Sequence, residues 1–375
     1  MREFAMTISI SANQFAAKMG IIGISGEDEK RIQHWLASIT VENFDNESTA
    51  SGQFKSANIN FNHLDSDESY KIIKKLSVAY RYLFTNAYAE FIFFPSEGRK
   101  YSLHELLDVK PGTMFSNEAI YSFPIDCLCK KSSFDKSVDE YPMFCHDPET
   151  TFQNIKQKLE QRGHAVIIND EETGQIVGFA FGYKSSLIEA WSLEEWVHPF
   201  VYSRFGLMLR EIQESDHRLH KKFHDRYVNK FDDFFVKFNT LVKDDLCAYG
   251  LPDHRQQFEP DDCVYIFNAI ATHPHIRTIS KPSELCGTCL DMVDEHVKNN
   301  ILGLGEAVFQ SNAYKMFQIG GMKDIYGVLN QSSDRSHAGD TILMAGPLSS
   351  VLEVALLPHR EFMKRYIRFH RNTKL

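Results

Sequence analysis

Residues 262–322 place two apolar runs on either side of a helical pattern, and the rest of the chain is organised around this segment. Val264–Thr272 is apolar and β-prone and stops at the turn signal His273-Pro274, which predicts a buried strand. Ile301–Leu304 is a second short apolar run and predicts another strand. A helix between these two strands would make the segment a βαβ crossover.

The helical patterns of this segment have recognisable ends. Apolar residues from Leu285 to Val297 have helical spacing, and Ser283 and Glu284 precede them as predicted capping residues. A second helix is predicted over Ser311–Gln318, closed by two glycines. Small residues at Gly287-Thr288-Cys289 suggest that a pyrophosphate approaches the backbone amides at a helix start, although many α/β domains have such a segment without binding phosphate.

The wording of this segment resembles the acyl-CoA-binding core of the GNAT superfamily of N-acetyltransferases. Residues 270–277 match the strand end of that family, and Glu284–Cys289 occupies the position of its pyrophosphate loop. The family's later pattern, Asn-x-x-Ala-x-x-Leu-Tyr-x-x-x-Gly-Phe, falls on residues 310–322. Phe317 stands where many members have a tyrosine that reprotonates the leaving thiolate.

Upstream segments occur in the family's order. A strand at Ser56–Phe61 precedes a helix that Asp65 or Ser66 can cap. His164–Asn169 and Gln175–Tyr183 are predicted to form a hairpin around an acidic turn. The irregular stretch from Tyr101 to Pro148 is predicted to be a surface insertion.

The resemblance implies an α/β (α+β) fold with a central mixed sheet, flanking helices and two central strands that splay apart. The predicted domains are an N-terminal extension over residues 1–54, a GNAT-like domain over 55–350 and a basic C-terminal helix over 351–375. A large helical insertion is expected at about 185–260, beside the acceptor side of the cleft.

The function that the resemblance implies is direct transfer of an acetyl or other acyl group from CoA to an amine of a protein or small molecule. Acetyl-CoA is the expected acyl donor, and no metal is expected. The expected CoA-binding residues are Ile270, Ala271, Thr272, Leu285, Cys286, Gly287, Thr288, Cys289, Leu290, Gln310, Asn312 and Phe317. Glu306 is the candidate base, Tyr314 the candidate proton donor in place of Phe317, and Tyr265 a third candidate catalytic residue on the central strand.

Composition is that of a globular protein whose partners are not nucleic acids. The hydrophobic fraction is 43% and the formal net charge is −9. No secretory signal and no membrane-spanning run are visible, which predicts a cytoplasmic protein and leaves signal-independent secretion open. Six Lys or Arg residues against one Glu make the tail from His359 onwards a basic amphipathic helix, which suggests contact with an anionic surface or docking on its own domain.

Other constellations admit catalytic or metal-binding interpretations. Cys127-x-Cys129 and Cys286-x-x-Cys289 suggest zinc or redox chemistry, but they are far apart in sequence and neither has a regular second pair. The histidines at 217, 220 and 224 lie on one helix face that is also basic, and Cys145-His146-Asp147 lies in a Pro-flanked loop. A solvated surface accounts for both.

Two other functions remain open at this stage. A degenerate GNAT-fold module would bind acyl-CoA or a protein partner without turnover, and the missing tyrosine at Phe317 favours it. A nucleotide-dependent oxidoreductase would use Gly303-x-Gly305, but the third glycine of that fingerprint is absent.

Overall fold

The computed structural model of the protein describes most of the chain outside its longest insertions. The described residues are 3–5, 8, 10–18, 21, 23–42, 54–88, 93–96, 99–110, 112–124, 148–193, 232, 235–236, 238–240, 257–273, 276, 280–295, 301–308, 312–326 and 341–372. They divide into two compact units. The first takes its described residues from Met1–Ser51 and Ser77–Gln153, and the second from Gly52–Leu76, Asn154–His198 and His217–Leu375.

A seven-stranded mixed sheet forms the centre of the second unit. Its strands, in spatial order, are β11 (Lys323–Tyr326), β12 (Thr341–Pro347), β10 (Leu302–Val308), β9 (Cys263–Thr272), β8 (Ile176–Ser186), β7 (Gly163–Asp170) and β3 (Phe54–Asn60). Every neighbouring pair is antiparallel except β9 and β10, which are parallel. A parallel pair requires a crossover connection, and a helix supplies it here.

Helices complete the second unit. They are α7 (Leu187–Leu193), the crossover helix α8 (Ser280–Asp291), α9 (Asn312–Ile319), α10 (Leu348–Ala355) and α11 (His359–Asn372). Side chains of α8, α9, α10 and α11 share one buried apolar cluster with residues of β7 to β10 and β12. Burial of this apolar surface is the main favourable term that holds the helices on the sheet. The fold is therefore the α/β mixed sheet with flanking helices that was expected.

The first unit has smaller elements. Its strands are β1 (Glu3–Ala5), β2 (Thr40–Glu42) and β6 (Met114–Phe115), which form one sheet, and the hairpin of β4 (Phe93–Ser96) and β5 (Arg99–Ser102). Its helices are α1 (Ala12–Lys18), α2 (Gly26–Ser38), α4 (Leu103–Leu107) and α5 (Asn117–Tyr121). Two further helices, α3 (Ser66–Tyr88) and α6 (Pro148–Leu159), have residues in both units. Trp35 anchors the core of this unit, because its indole N–H donates to the Ala119 carbonyl at 2.9 Å.

Several predicted elements are confirmed. The hairpin of β7 and β8 closes on Gly174 (φ +67°), and the Asp170 carboxylate accepts the amide of Glu172 at 2.8 Å. The predicted cap Asp65 accepts the Glu68 amide at 2.8 Å. The β9, β10 and α9 predictions are also confirmed, with β10 extending to Val308.

Other predictions are wrong in detail. The stretch Tyr101–Pro148 was expected to be irregular, yet its described part contains the end of β5, then α4, β6 and α5, which are too short to show a period. The basic amphipathic helix predicted from His359 is confirmed as α11, but residues 351–355, which were assigned to the same helix, belong to α10 and are separated from it at Pro358. Most of the 185–260 insertion lies outside the described residues. Within the described part, Phe238 is buried, and the centroids of the Phe238 and Phe258 rings are 5.3 Å apart.

Candidate functional site

Strands β9 and β10 stop pairing before either strand ends, and the region between their ends is called the gap. The two strands pair only from Val264↔Leu302 to Phe267↔Gly305. Beyond Phe267, β9 continues for five residues paired only with β8, and β10 continues to Val308 paired only with β12. Each strand stays paired with its outer neighbour but no longer pairs with the other, so the two strands separate. This agrees with the prediction that the two central strands splay apart.

A β-bulge in β9 accounts for the divergence. Phe181 of β8 pairs with Ala269, whereas the next residue, Gly182, pairs with Phe267, so Asn268 is an extra residue in β9. A bulge bends its strand and increases its twist. The bend lies one residue beyond the last pair with β10, which is where the gap opens. The sequence contains no local signal for this bulge, since Asn268 sits inside a continuous β-prone run.

An aromatic pair closes the apex of the gap on the helix side. The rings of Phe267 and Phe317 meet edge to face with centroids 5.7 Å apart. A Cβ on Gly305 would lie 3.0 Å from the Phe317 ring, so the glycine makes room for that ring. Phe317 is 1% exposed. The residue in the family's tyrosine position is therefore a packed apolar wall of the gap.

The expected pyrophosphate loop over Leu285–Leu290 is instead helical. Helix α8 begins at Ser280, so these six residues lie inside it, where their amides belong to the helix. The side chains of Leu285, Cys286, Cys289 and Leu290 are buried, and a Cβ on Gly287 would lie 2.7 Å from Leu356. Gly287 and Thr288 thus belong to the packed body of α8, and the prediction that their amides are free is wrong. The physical reason is that the helix starts five residues earlier than its apolar spacing suggested.

The amides of α8 that have no acceptor within the helix lie in its first turn. Ser280, Lys281 and Ser283 have backbone N–H groups there, while Pro282 has none. In a crossover, the helix that follows a strand runs back antiparallel to it, so this turn lies at the end of the molecule where β9 finishes. The gap and the start of α8 therefore open at the same end of the sheet.

Tyr265 does not reach the gap. It pairs with Gly303, two residues before the strands diverge, and its side chain is fully buried. Its hydroxyl would lie 2.6 Å from a Cβ on Gly182 of β8, so it points away from β10. Burial, with the neighbouring Cys289 and Cys286 thiols, raises the pKa of Tyr265 well above its ordinary value. The structure gives this residue a packing position, contrary to its candidate catalytic role.

Tyr314 is also held away from the gap. Its hydroxyl donates to Asp324 Oδ2 at 2.9 Å and accepts from Gln318 Nε2 at 2.7 Å. Asp324 is on β11, and β12 stands between β11 and β10. With strands about 4.8 Å apart, this partner lies about 10 Å from β10 on the side opposite β9. The geometry disfavours Tyr314 as the proton donor for a group in the gap.

The remaining expected site residues lie at the gap or outside the described part. Ile270, Ala271 and Thr272 form the length of β9 that has no β10 partner. Glu306 is the first residue of β10 beyond the last pair. Asn312 begins α9, while Gln310 lies outside the described residues.

The buried thiols are held in their protonated form. Burial raises the pKa of Cys289 to about 12 and, with the Cys289 thiol beside it, raises the pKa of Cys286 well above its ordinary value. Neither is a thiolate at neutral pH, which disfavours a redox or zinc role for this pair. Within the described part of the chain, no three His, Cys, Asp or Glu residues are grouped closely enough to hold a metal ion. Cys127, Cys129 and the other two constellations lie outside it.

None of the helices that the structure describes combines the length and hydropathy needed to span a bilayer.

Comparison with known proteins adds little beyond the architecture. No family model matches the chain, and no curated protein does. Among solved structures, the chain is similar to the crystal structure of mosquito arylalkylamine N-acetyltransferase-like 5b, with 10% sequence identity and a TM-score of 0.36. The match covers 78% of this chain and 99% of that chain. A likeness of that size carries no functional argument, so the functional argument rests on the gap.

Proposed function

We propose that this chain is an acyl-CoA-dependent N-acyltransferase that uses the gap between β9 and β10 as its donor site. The observation that supports the proposal is that β9 and β10 stop pairing at Phe267 although both strands continue. Exposed strand edges present backbone N–H and C=O groups that an amide-containing chain can pair with. The pantetheine arm of CoA carries two amides, so it suits the edge formed by Ile270, Ala271 and Thr272.

The phosphates of CoA would lie at the start of α8. The first-turn amides of Ser280, Lys281 and Ser283 are at the positive end of a helix of twelve residues. This assignment replaces Leu285–Leu290 as the phosphate-binding amides. Gln310 and Asn312, near the start of α9, remain proposed contacts for the rest of the nucleotide.

In the proposed reaction, a neutral amine attacks the thioester carbonyl carbon while the carbon–sulfur bond breaks. The amine nitrogen loses one proton to Glu306, the first residue of β10 beyond its last pair with β9. A backbone N–H beside the bulge at Asn268 stabilises the oxyanion. The CoA thiolate leaves and takes its proton from water, since Phe317 has none to give.

A second candidate function is acyl-CoA binding without turnover. The observation that favours it is the position of Tyr314, whose hydroxyl is committed to Asp324 and Gln318. With Phe317 at the apex, neither Tyr265 nor Tyr314 is placed to protonate the thiolate.

The test combines binding and turnover with a matched pair of variants. Ala271→Trp is designed to fill the gap. Ala57→Trp makes the same change at a half-exposed alanine on β3, which is an edge strand of the sheet and lies away from the gap. Acetyl-CoA binding is measured by calorimetry. Free CoA released with a panel of peptide and small-molecule amines is measured by chromatography, because the seven cysteines of the chain would react with thiol reagents.

We expect the native chain and Ala57→Trp to bind acetyl-CoA and release CoA in an amine-dependent reaction, and Ala271→Trp to do neither. Glu306→Gln should keep donor binding and lose about 10²-fold or more in kcat. Binding without CoA release by the native chain would establish the second candidate. Absence of binding, or equal binding by the two tryptophan variants, would overturn both.

A further inference from the structure

Helix α11 presents a continuous basic face to solvent. Arg360, Lys364, Arg368 and Arg371 follow one another at helical spacing along one stripe, and Arg365 flanks it. All five side chains are exposed. The stripe is about 17 Å long at 1.5 Å per residue. Its charges therefore point in one direction from one short, regular element.

The opposite face of α11 is fixed to its own domain. Phe362 is buried, and the Phe362 and Tyr366 rings stack with centroids 6.4 Å apart. Lys315 of α9 lies over the Tyr366 ring at 5.3 Å. The apolar side of this amphipathic helix is consequently already covered, and the basic side is held outward.

Most of the positive charge on this face is uncompensated within the described part of the chain. Lys364 forms an ion pair with Glu361 at 2.6 Å. No carboxylate among the described residues pairs with the four arginines. The formal net charge of the chain is −9, so this face concentrates positive charge in a protein that is negative as a whole. Such a face attracts an anionic partner over distances of about a Debye length, roughly 8 Å in physiological salt.

An aliphatic side chain lies within the basic stripe. Ile367 is 46% exposed, and its position lies beside Lys364 and Arg371, three and four residues away on the helix. Leu356, just before the helix, is 54% exposed. Transfer of an exposed aliphatic group from water to an apolar environment lowers the free energy of the system.

We propose that the basic face of α11 is an electrostatic docking site for the surface of an anionic phospholipid bilayer. The cations would contact lipid phosphates and carboxylates, while Ile367 would enter the boundary between headgroups and acyl chains. The mixture of charges with an aliphatic side chain decides the occupant. The phosphates of a nucleic-acid backbone would pair with the cations, but the backbone has no apolar environment for Ile367. A lipid surface has both the anionic groups and the apolar environment.

The experiment is co-sedimentation of the full chain with vesicles. One set is phosphatidylcholine alone, and the other contains phosphatidylserine as well. We expect binding to the second set only, weakening as salt is added. The double variant Arg365→Glu with Arg368→Glu should lose binding by more than about tenfold, since each basic residue near an anionic surface contributes about a factor of five.

A matched double variant controls for overall charge. Lys71→Glu with Lys75→Glu makes the same change in net charge at exposed lysines of α3, and it should retain the binding of the native chain. Ile367→Ser should weaken binding to phosphatidylserine vesicles without changing its salt dependence. Circular dichroism and urea unfolding verify that each variant is folded before its binding is compared.

Three results would overturn the proposal. The first is equal binding to both vesicle sets. The second is an equal loss in the two double variants, which would show an effect of net charge alone. The third is no vesicle binding together with binding of duplex DNA or poly-glutamate through the same arginines, which would assign the face to a polyanion of another class.

Discussion

The hydroxyl groups of Tyr265 and Tyr314 lie in contrasting environments. The Tyr265 hydroxyl is fully buried, and the group beside it is the Cys289 thiol, which is only a weak hydrogen-bonding partner, so folding removed the hydroxyl from water without fully replacing its hydrogen bonds. The Tyr314 hydroxyl has two partners, Asp324 and Gln318. Neither hydroxyl is placed to act in the gap, although both residues were chosen as candidate catalytic groups.

The same substitution at these two tyrosines should have opposite effects on stability. Tyr265→Phe removes a desolvated hydroxyl whose neighbour is a weak thiol partner, and we expect the free energy of unfolding to stay equal or rise by up to about 1 kcal/mol. Tyr314→Phe removes hydrogen bonds to the exposed Asp324 and the half-buried Gln318, and we expect a loss of about 0.5–1.5 kcal/mol. Urea unfolding at neutral pH measures both. Equal losses would mean that the Tyr265 hydroxyl is held as strongly by Cys289 as the Tyr314 hydroxyl is by its partners.

His164 links stability to pH. Burial lowers the pKa of His164 below its ordinary value of 6.5, and the nearby His63 lowers it further. The unfolded chain therefore takes up a proton near pH 6.5 that the folded chain still rejects. Stability should fall as pH drops below 6.5, down to the lowered pKa of the folded state.

The check is the slope of unfolding free energy against pH between neutral and mildly acidic conditions. His164→Gln cannot take up that proton, so its slope below pH 6.5 should be shallower than that of the native chain. Parallel slopes would show that His164 has the same pKa in both states.

At the scale of elements, the bulge of β9 joins packing to the proposed site. Gly182 lies beside it, and a Cβ there would come within 2.6 Å of both the Ile266 carbonyl oxygen and the Tyr265 hydroxyl. The carbonyl is backbone and cannot move without distorting the strand. The close approach of β8 and β9 at the bulge therefore requires glycine.

Gly182→Ala should consequently destabilise the chain by about 1–3 kcal/mol, the usual cost of overpacking. Gly26→Ala is the matched control, because a Cβ there meets nothing within 4 Å and its φ is not positive. We expect the control to change stability by less than about 0.5 kcal/mol. Unfolding by urea compares the two. A tolerated Gly182→Ala would show that β8 and β9 are less closely packed than the structure indicates.

At the scale of the whole molecule, the two units differ in how their strands are protected. Strands β8 and β9 are central in the seven-stranded sheet and mostly buried. The β4–β5 hairpin is a sheet of only two strands. Isolated hairpins are marginal in water, whereas central strands open only with the larger unit.

Hydrogen exchange followed by mass spectrometry should show this difference. Peptides from β8 and β9 should exchange most slowly among the described strands, and peptides from β4 and β5 much faster. Comparable protection of the hairpin would mean that it is covered to an extent that its two-stranded pairing does not indicate.

The amino-acid sequence by itself determined the elements that have a clear period. Alternation and length predicted β7, β8 and β9, and apolar spacing predicted α3 and α9, because each signal lies within one segment. The family resemblance added the order of these elements and the splayed central strands. Some of the shortest elements, such as β6 and α5, were missed because they are shorter than a recognisable pattern.

Only the tertiary structure decided which chemical groups are available. The gap depends on a bulge that arises from the pairing of β8 with β9, and no residue of β9 signals it alone. Pairing and burial likewise show that the amides without an acceptor inside the helix lie at the start of α8 and not at Gly287. They also show that Tyr265 and Tyr314 lie away from the candidate site. The physical reason is that a side chain's access to a site depends on neighbours distant in sequence, while its secondary structure depends largely on neighbours close by.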